Sequence, residues 1–113
     1  ERAGGDALDP DALIGIDEEG GNVTRLESAE GSTLPGAAQL GVVDDVEATR
    51  ASGAELARRV TAIGANVVLG PVADVNTDPR NPVIGVRSFG SDEQLVSRHA
   101  VAADAGIQSG AVA

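Results

Sequence analysis

Two short apolar runs stand out along the chain, Ala12-Leu13-Ile14-Gly15-Ile16 and Asn66-Val67-Val68-Leu69-Gly70-Pro71-Val72, each bounded by turn-forming residues. Neither alternates apolar with polar positions, so both predict strands covered on two faces, as in a parallel sheet. The second is rich in β-branched residues, which suit a strand. After each run comes a polar stretch bearing Gly and Pro, and then a segment with apolar residues three and four apart. Gly53, Leu56, Val60 and Ile63 share one face of the first predicted helix. Asp44 with Glu47 three residues on predicts its start as a capping box, and Gly64 its end. The second helix is predicted to open at Ser91 with Gln94 three residues on, to carry Leu95, Val96, His99, Ala103 and Ile107 on its apolar side, and to stop near Gly110. Ala111-Val112-Ala113 then predicts the beginning of a third strand.

Strand, loop, helix, repeated and followed by a strand, is the signature of right-handed parallel βα units in an α/β fold. The chain holds about two such units plus the start of a third strand. Its two strand-exit stretches, 17–43 and 73–90, are far longer than connections of this kind usually are. Long loops at the carboxyl ends of parallel strands are where barrels and open sheets keep their sites, so candidate chemistry is sought there.

Composition narrows the choices. With 113 residues the chain is one domain's worth of sequence, and its first residue is Glu1 rather than Met, as expected of a piece of something longer. All 8 basic residues are Arg, against 18 acidic ones, for a net charge of -10. A phosphate backbone or an anionic membrane would be repelled, so neither nucleic acid nor a membrane surface is an expected partner. No apolar run reaches the ~20 residues of a membrane span. There is no Cys, hence no disulfide, thiolate nucleophile or zinc knuckle, and Phe89 is the single aromatic residue.

Asp17-Glu18-Glu19-Gly20-Gly21 follows the first strand directly. An extended backbone sends Asp17 and Glu19 to one side and Glu18 to the other. Asp17 is the best placed to grip a polyol or a metal; a solvated turn is the alternative. A phosphate loop is excluded, because Gly21-Asn22 stands where Lys and Ser or Thr are required. In the second loop Asp74-Val75-Asn76-Thr77-Asp78 imitates the opening of a calcium loop. Pro79 and Gly85 then occupy the positions that need Gly and a bidentate Glu, so Asp74 and Asn76 are expected to organise Asx turns instead. Arg25 and Arg87 lie within the exit loops, where a guanidinium fork suits paired hydroxyls or a neighbouring carboxylate. Arg50, Arg58, Arg59 and Arg98 fall on the helices and are expected on the solvated face. His99 is expected in the core or an interface, with no carboxylate arranged around it, and Phe89 is expected to pack.

Taken as whole strings, the loops say more. Ile14-Gly15-Ile16-Asp17-Glu18-Glu19-Gly20-Gly21-Asn22-Val23-Thr24-Arg25-Leu26, then Thr33-Leu34-Pro35, then Gly70-Pro71-Val72-Ala73-Asp74-Val75-Asn76-Thr77-Asp78-Pro79-Arg80-Asn81-Pro82-Val83-Ile84-Gly85-Val86-Arg87-Ser88-Phe89-Gly90 closely resemble the amino-terminal catalytic domain of family 3 glycoside hydrolases. Within it they resemble the β-N-acetylhexosaminidase branch rather than the β-glucosidase branch. The resemblance implies part of a TIM-type (β/α)8 barrel, with residues 1–113 a fragment of that domain. It also implies a retaining exo-β-N-acetylglucosaminidase that releases terminal N-acetylglucosamine from cell-wall (peptidoglycan) or chitin fragments. Carried over by residue, Asp17 would bond sugar hydroxyls, Arg25 would support that carboxylate, and Arg87 would hold hydroxyls from the other side. The family's Lys-His pair, acid/base His and nucleophilic Asp come after the third strand, and His99 does not match that histidine. No catalytic residue, metal or cofactor is therefore assigned. The implied partners are a carbohydrate and the rest of the barrel, or a second chain completing it. Three readings stay open beside this one: a catalytically empty sugar-binding relative, a member of the β-glucosidase branch, and a small calcium-binding α/β domain.

Overall fold

The computed structural model of the chain describes residue 9 and residues 11–112. Ala113, the last residue of the expected third strand, lies outside them. Strand β1 (Gly15–Ile16) pairs in parallel with β2 (Val67–Val68), Gly15 opposite Val67 and Ile16 opposite Val68. Val67 also bridges Val112 in parallel, so β2 lies between β1 and the start of the third strand. Both strands are shorter than their apolar runs. Before β2, the Asn66 side chain takes over the pairing: its Oδ1 accepts from the Ile14 N–H at 2.7 Å and its Nδ2 donates to the Ala12 carbonyl at 3.0 Å. Beyond β2, Pro71 has no N–H to give a ladder.

The first exit stretch is not all loop, since it contains helix α1 (Ala37–Val43). At seven residues α1 is too short to declare an apolar repeat. It ends on Asp44, which adopts the left-handed conformation (φ 53°) and donates its N–H to the Leu40 carbonyl. Because Asp44 closes α1, helix α2 (Val46–Ala62) is capped by Asp45, one residue later than expected. Asp45 Oδ1 accepts from the Glu47 and Ala48 N–H groups at 3.0 and 3.4 Å. Helix α3 (Glu93–Ile107) likewise opens on Asp92, not Ser91, with the Gln94 N–H donating to its carboxylate at 3.2 Å. Ile63, expected on the buried face of α2, falls after the last turn and is 59% exposed.

Helices α2 and α3 meet backbone to backbone. A methyl group on Gly53 would come within 2.6 Å of the Ala103 carbonyl oxygen, and one on Gly106 would collide with the Arg50 carbonyl. The apolar sides of the pair then cover the sheet, where Leu56, Ala57, Val60, Val68 and Ile107 form one cluster with Ile16 and Leu34 at its edge. A second cluster of Phe89, Val96 and Ala103 lies beneath α1 and the second exit loop.

Arg59 is not simply solvated. Its Nη1 donates to Glu27 Oε1 at 2.7 Å and Thr33 Oγ1 at 2.9 Å, and its Nε to Glu55 Oε2 at 2.9 Å, so it ties the first exit loop to α2. Hydrogen bonds from Arg58 and then Arg59 hold the Glu55 carboxyl down at about 2, against an ordinary 4.5. A carboxyl lowered by folding stabilises the fold above its unfolded pKa, and that contribution fades as pH falls through the folded value. The Tm difference between the intact protein and its Glu55→Gln variant should therefore be full above about pH 5 and close toward pH 2. Thermal melts across that range check this, and a gap independent of pH would refute it.

Candidate functional site

The residues leaving β1 fold back on themselves. The Glu19 N–H donates to the Val23 carbonyl at 2.9 Å, and Gly20 and Gly21 turn the chain with φ of 80° and 57°, values that favour glycine. Glu18 points inward and is 3% exposed. Its Oε2 accepts from Thr24 Oγ1 at 2.6 Å, and its Oε1 from the Arg25 and Leu26 N–H groups at 2.6 and 3.2 Å. This buried carboxylate replaces water for three donors and so fixes where the chain returns. Arg25 is thereby set beside Asp17, Nη2 to Oδ2 3.7 Å, with both side chains more than half exposed.

The second exit loop is organised by residues other than those expected. Asp78 Oδ1 accepts from the Arg80 N–H at 3.0 Å, and Asn81 Oδ1 from the Val83 and Ile84 N–H groups at 2.9 and 3.2 Å, so the Asx turns belong to Asp78 and Asn81. Asp74 and Asn76 take part through their main chains: Ser88 Oγ donates to the Asp74 carbonyl at 2.6 Å, and the Asn76 N–H donates to the Gly90 carbonyl at 2.9 Å. A short 3-10 helix, Gly85–Arg87, then carries Arg87 back toward the first loop. There Arg87 meets Glu19: Nη2 to Oε1 2.9 Å and Nε to Oε2 3.2 Å, with Nη1 donating to the Val83 carbonyl at 3.3 Å. The bond from Glu19, then its charge, keeps the guanidinium firmly protonated, with smaller contributions from Asp74 and Asp17. Asp17, Arg25 and Arg87 are thus gathered around one short segment, 17–19.

His99 is fully buried, as expected, but it is not without a carboxylate. Its Nε2 lies 2.8 Å from Asp44 Oδ1 and its Nδ1 2.7 Å from Thr49 Oγ1. A carboxylate only accepts, so Nε2 carries a proton toward Asp44, while Nδ1 is paired with the Thr49 hydroxyl. Bonds from His99 and then Arg98 hold the Asp44 carboxyl below its ordinary range. Phe89 stacks on the imidazole, ring centres 5.4 Å apart. Both ring nitrogens are occupied, which makes His99 a packing and fastening residue. The sequence hid this because Asp44 reaches it from the unannounced end of α1.

A cavity of about 260 Å3 lies between the loops and the helices, with Glu18, Gln39, Thr49, Ser52 and Arg87 in its wall. Asp17 and Arg25 do not line it. Among the described residues no three His, Cys, Asp or Glu side chains gather as a metal would require. Asp78 is paired with Arg80 at 3.1 Å instead. No described helix is long and apolar enough to cross a membrane.

Glu19 is the site residue that sequence reasoning passed over. The alternation that favoured Asp17 put Glu19 on the same side, but its partner stands 68 residues away.

Residues 7–113 match the sequence profile described as the glycosyl hydrolase family 3 N terminal domain. The chain is 37% identical over 99 residues to beta-hexosaminidase LpqI of Mycobacterium tuberculosis, covering 88% of this chain and 26% of that protein. Among solved structures it is similar to a family 3 beta-N-acetylglucosaminidase from a Paenibacillus strain, with TM-score 0.83, 42% identity, and coverage of 89% of this chain and 19% of that one. It is also similar to NagZ of Neisseria gonorrhoeae, with TM-score 0.75, 36% identity, and coverage of 87% and 30%. The chain spans about a quarter of the length of the first of these relatives. Its two βα units and the bridge to Val112 have the arrangement of part of a TIM-type barrel, with the gathered side chains at the carboxyl ends of its strands. The chain belongs to glycosyl hydrolase family 3, as part of its N-terminal domain.

Proposed function

We propose that residues 1–113 are a fragment of the barrel domain of a retaining exo-β-N-acetylglucosaminidase and form part of its sugar-binding site. The substrates proposed are terminal N-acetylglucosamine residues of peptidoglycan or chitin fragments. The observation that carries this reading is the pairing of two strand exits: Asp17 with Arg25 on the first, and Arg87 of the second held against Glu19 of the first. Asp17 offers a charged acceptor for hydroxyls. Arg25 steadies it, and Arg87 offers donors from the facing loop. Bonds of this kind orient a sugar for attack, which is how positioning lowers a barrier. The naming of the similar proteins as beta-hexosaminidases supports the sugar class.

Kinetics of the intact protein test the assignment. Asp17→Asn keeps the shape but removes the charge, and hydrogen bonds to charged groups contribute ~1.5–3 kcal/mol, so kcat/KM on an aryl N-acetylglucosaminide should fall about ten- to a hundredfold. Arg87→Lys should cost as much, because an ammonium lacks the planar fork. Asp78→Asn, confined to its turn and to Arg80, should change kcat/KM by less than about threefold. Equal damage from Asp78→Asn and Asp17→Asn would reject these roles. Sugar binding without turnover by the intact wild type would point to a catalytically empty relative.

A further inference from the structure

We propose that Glu19 is a positioning residue that aims Arg87 at the substrate; the proposal rests on reading Arg87 as a sugar contact. A guanidinium has five N–H groups. In Arg87 three are engaged, by the two oxygens of Glu19 and by the Val83 carbonyl. One N–H remains on each terminal nitrogen, and among the described residues neither has an acceptor. Glu19 therefore consumes the inner edge of the guanidinium and leaves a two-pronged donor for a ligand with paired oxygens. It is well anchored for this: its side chain is 12% exposed, and its own N–H is bonded to the Val23 carbonyl beside the Gly20-Gly21 turn.

The neighbourhood explains why an anchor is required. Arg87 feels the negative charge of Asp74 and of Asp17 as well as that of Glu19. Asp17 is half exposed and its Arg25 contact is long, 3.7 Å, so it remains an open acceptor. A released Arg87 side chain would be drawn toward Asp74 and Asp17 and away from its present direction. Charge repulsion alone could not prevent this, because Arg87 and Asp17 attract. A competing carboxylate with better geometry does prevent it, and Glu19 has that geometry.

The proposal predicts an unusual order of effects in the intact protein. Glu19→Ala should lower kcat/KM by on the order of a hundredfold, as much as Arg87→Ala, because it removes Arg87 from place. On an Arg87→Ala background, Glu19→Ala should cost less than about twofold, since nothing is left to mis-aim. Glu19→Gln, which keeps one acceptor oxygen but turns an N–H toward Arg87 Nε, should fall between, about tenfold. A Glu19 that merely supports the fold would instead give additive losses in the double variant, and that result overturns the proposal. Crystal structures of the intact wild type and Glu19→Ala give a readout free of activity. Arg87 swung onto Asp17 or Asp74 in the variant supports the proposal, and Arg87 unmoved refutes it, even if Glu19→Ala folds less stably. Lack of turnover by the wild type would sink the hexosaminidase reading, while the position of Arg87 would still decide the role of Glu19.

Discussion

Residues 1–113 produced alone should release no product from an aryl N-acetylglucosaminide, a deficit on the order of a million-fold against the turnover proposed for the intact protein. Two of the three acidic groups at the first strand exit are committed to holding other groups, and the third, Asp17, is an open acceptor with no acid partner beside it. Glu18 is sealed by three donors, Glu19 is bound by Arg87, and Asp17 lies beside Arg25. The lone imidazole has both nitrogens occupied and no exposed surface. A retaining glycosidase needs one carboxylate to add to the anomeric carbon and a separate acid to protonate the leaving oxygen. By the family resemblance those groups belong to segments after the third strand. An assay of the purified chain checks this, and turnover that travels with the chain and vanishes in Asp17→Asn would refute it.

His99→Ala should unfold the intact protein's barrel domain more readily by about 4 kcal/mol. Truncating a large buried side chain typically costs ~2–5 kcal/mol, and stranding a buried partner such as the Thr49 hydroxyl adds ~1–3 kcal/mol. Three elements lose a shared fastener at once: Asp44 at the end of α1, Thr49 on α2, and Phe89 in the second exit loop. Urea denaturation measures the loss. A change below about 1 kcal/mol would mean that the surroundings refill the space and the ring is dispensable.

The βα repeat was legible because it is written in local patterns. Two apolar runs, helix repeats and the Gly64 stop follow from strand and helix periods alone, and the strands and helices stand where those runs and repeats put them; the covering of both strand faces expected of the runs is incomplete, since Leu13 and Leu69 are 76% and 57% exposed. The exact helix starts were not, since Asp44 and Asp45 are chemically equivalent as caps. What separated them was a left-handed turn serving α1, a helix too short to advertise itself. The site divides along the same line. Asp17 and Arg25 are eight residues apart on one loop, and their pairing follows from the turn between them. The bonds from Arg87 to Glu19 and from His99 to Asp44 join positions more than fifty residues apart. Only the folded chain brings those together. Arg59 was misread for the same reason, as its partners Glu27 and Thr33 come from a different part of the sequence.

The glycine contact between α2 and α3 has a bearing on what the site can recognise. With the main chain of Gly53 against Ala103 and that of Gly106 against Arg50, no side chain is interposed that could shift rotamer and let the helices slide. The two βα units are joined as a caliper with a fixed opening, and its jaws are the first and second exit loops. In the sugar-binding role proposed above, loop substitutions would change what each jaw offers, hydroxyl by hydroxyl. The width between the jaws is set some distance away, where two helices have given up their side chains to touch.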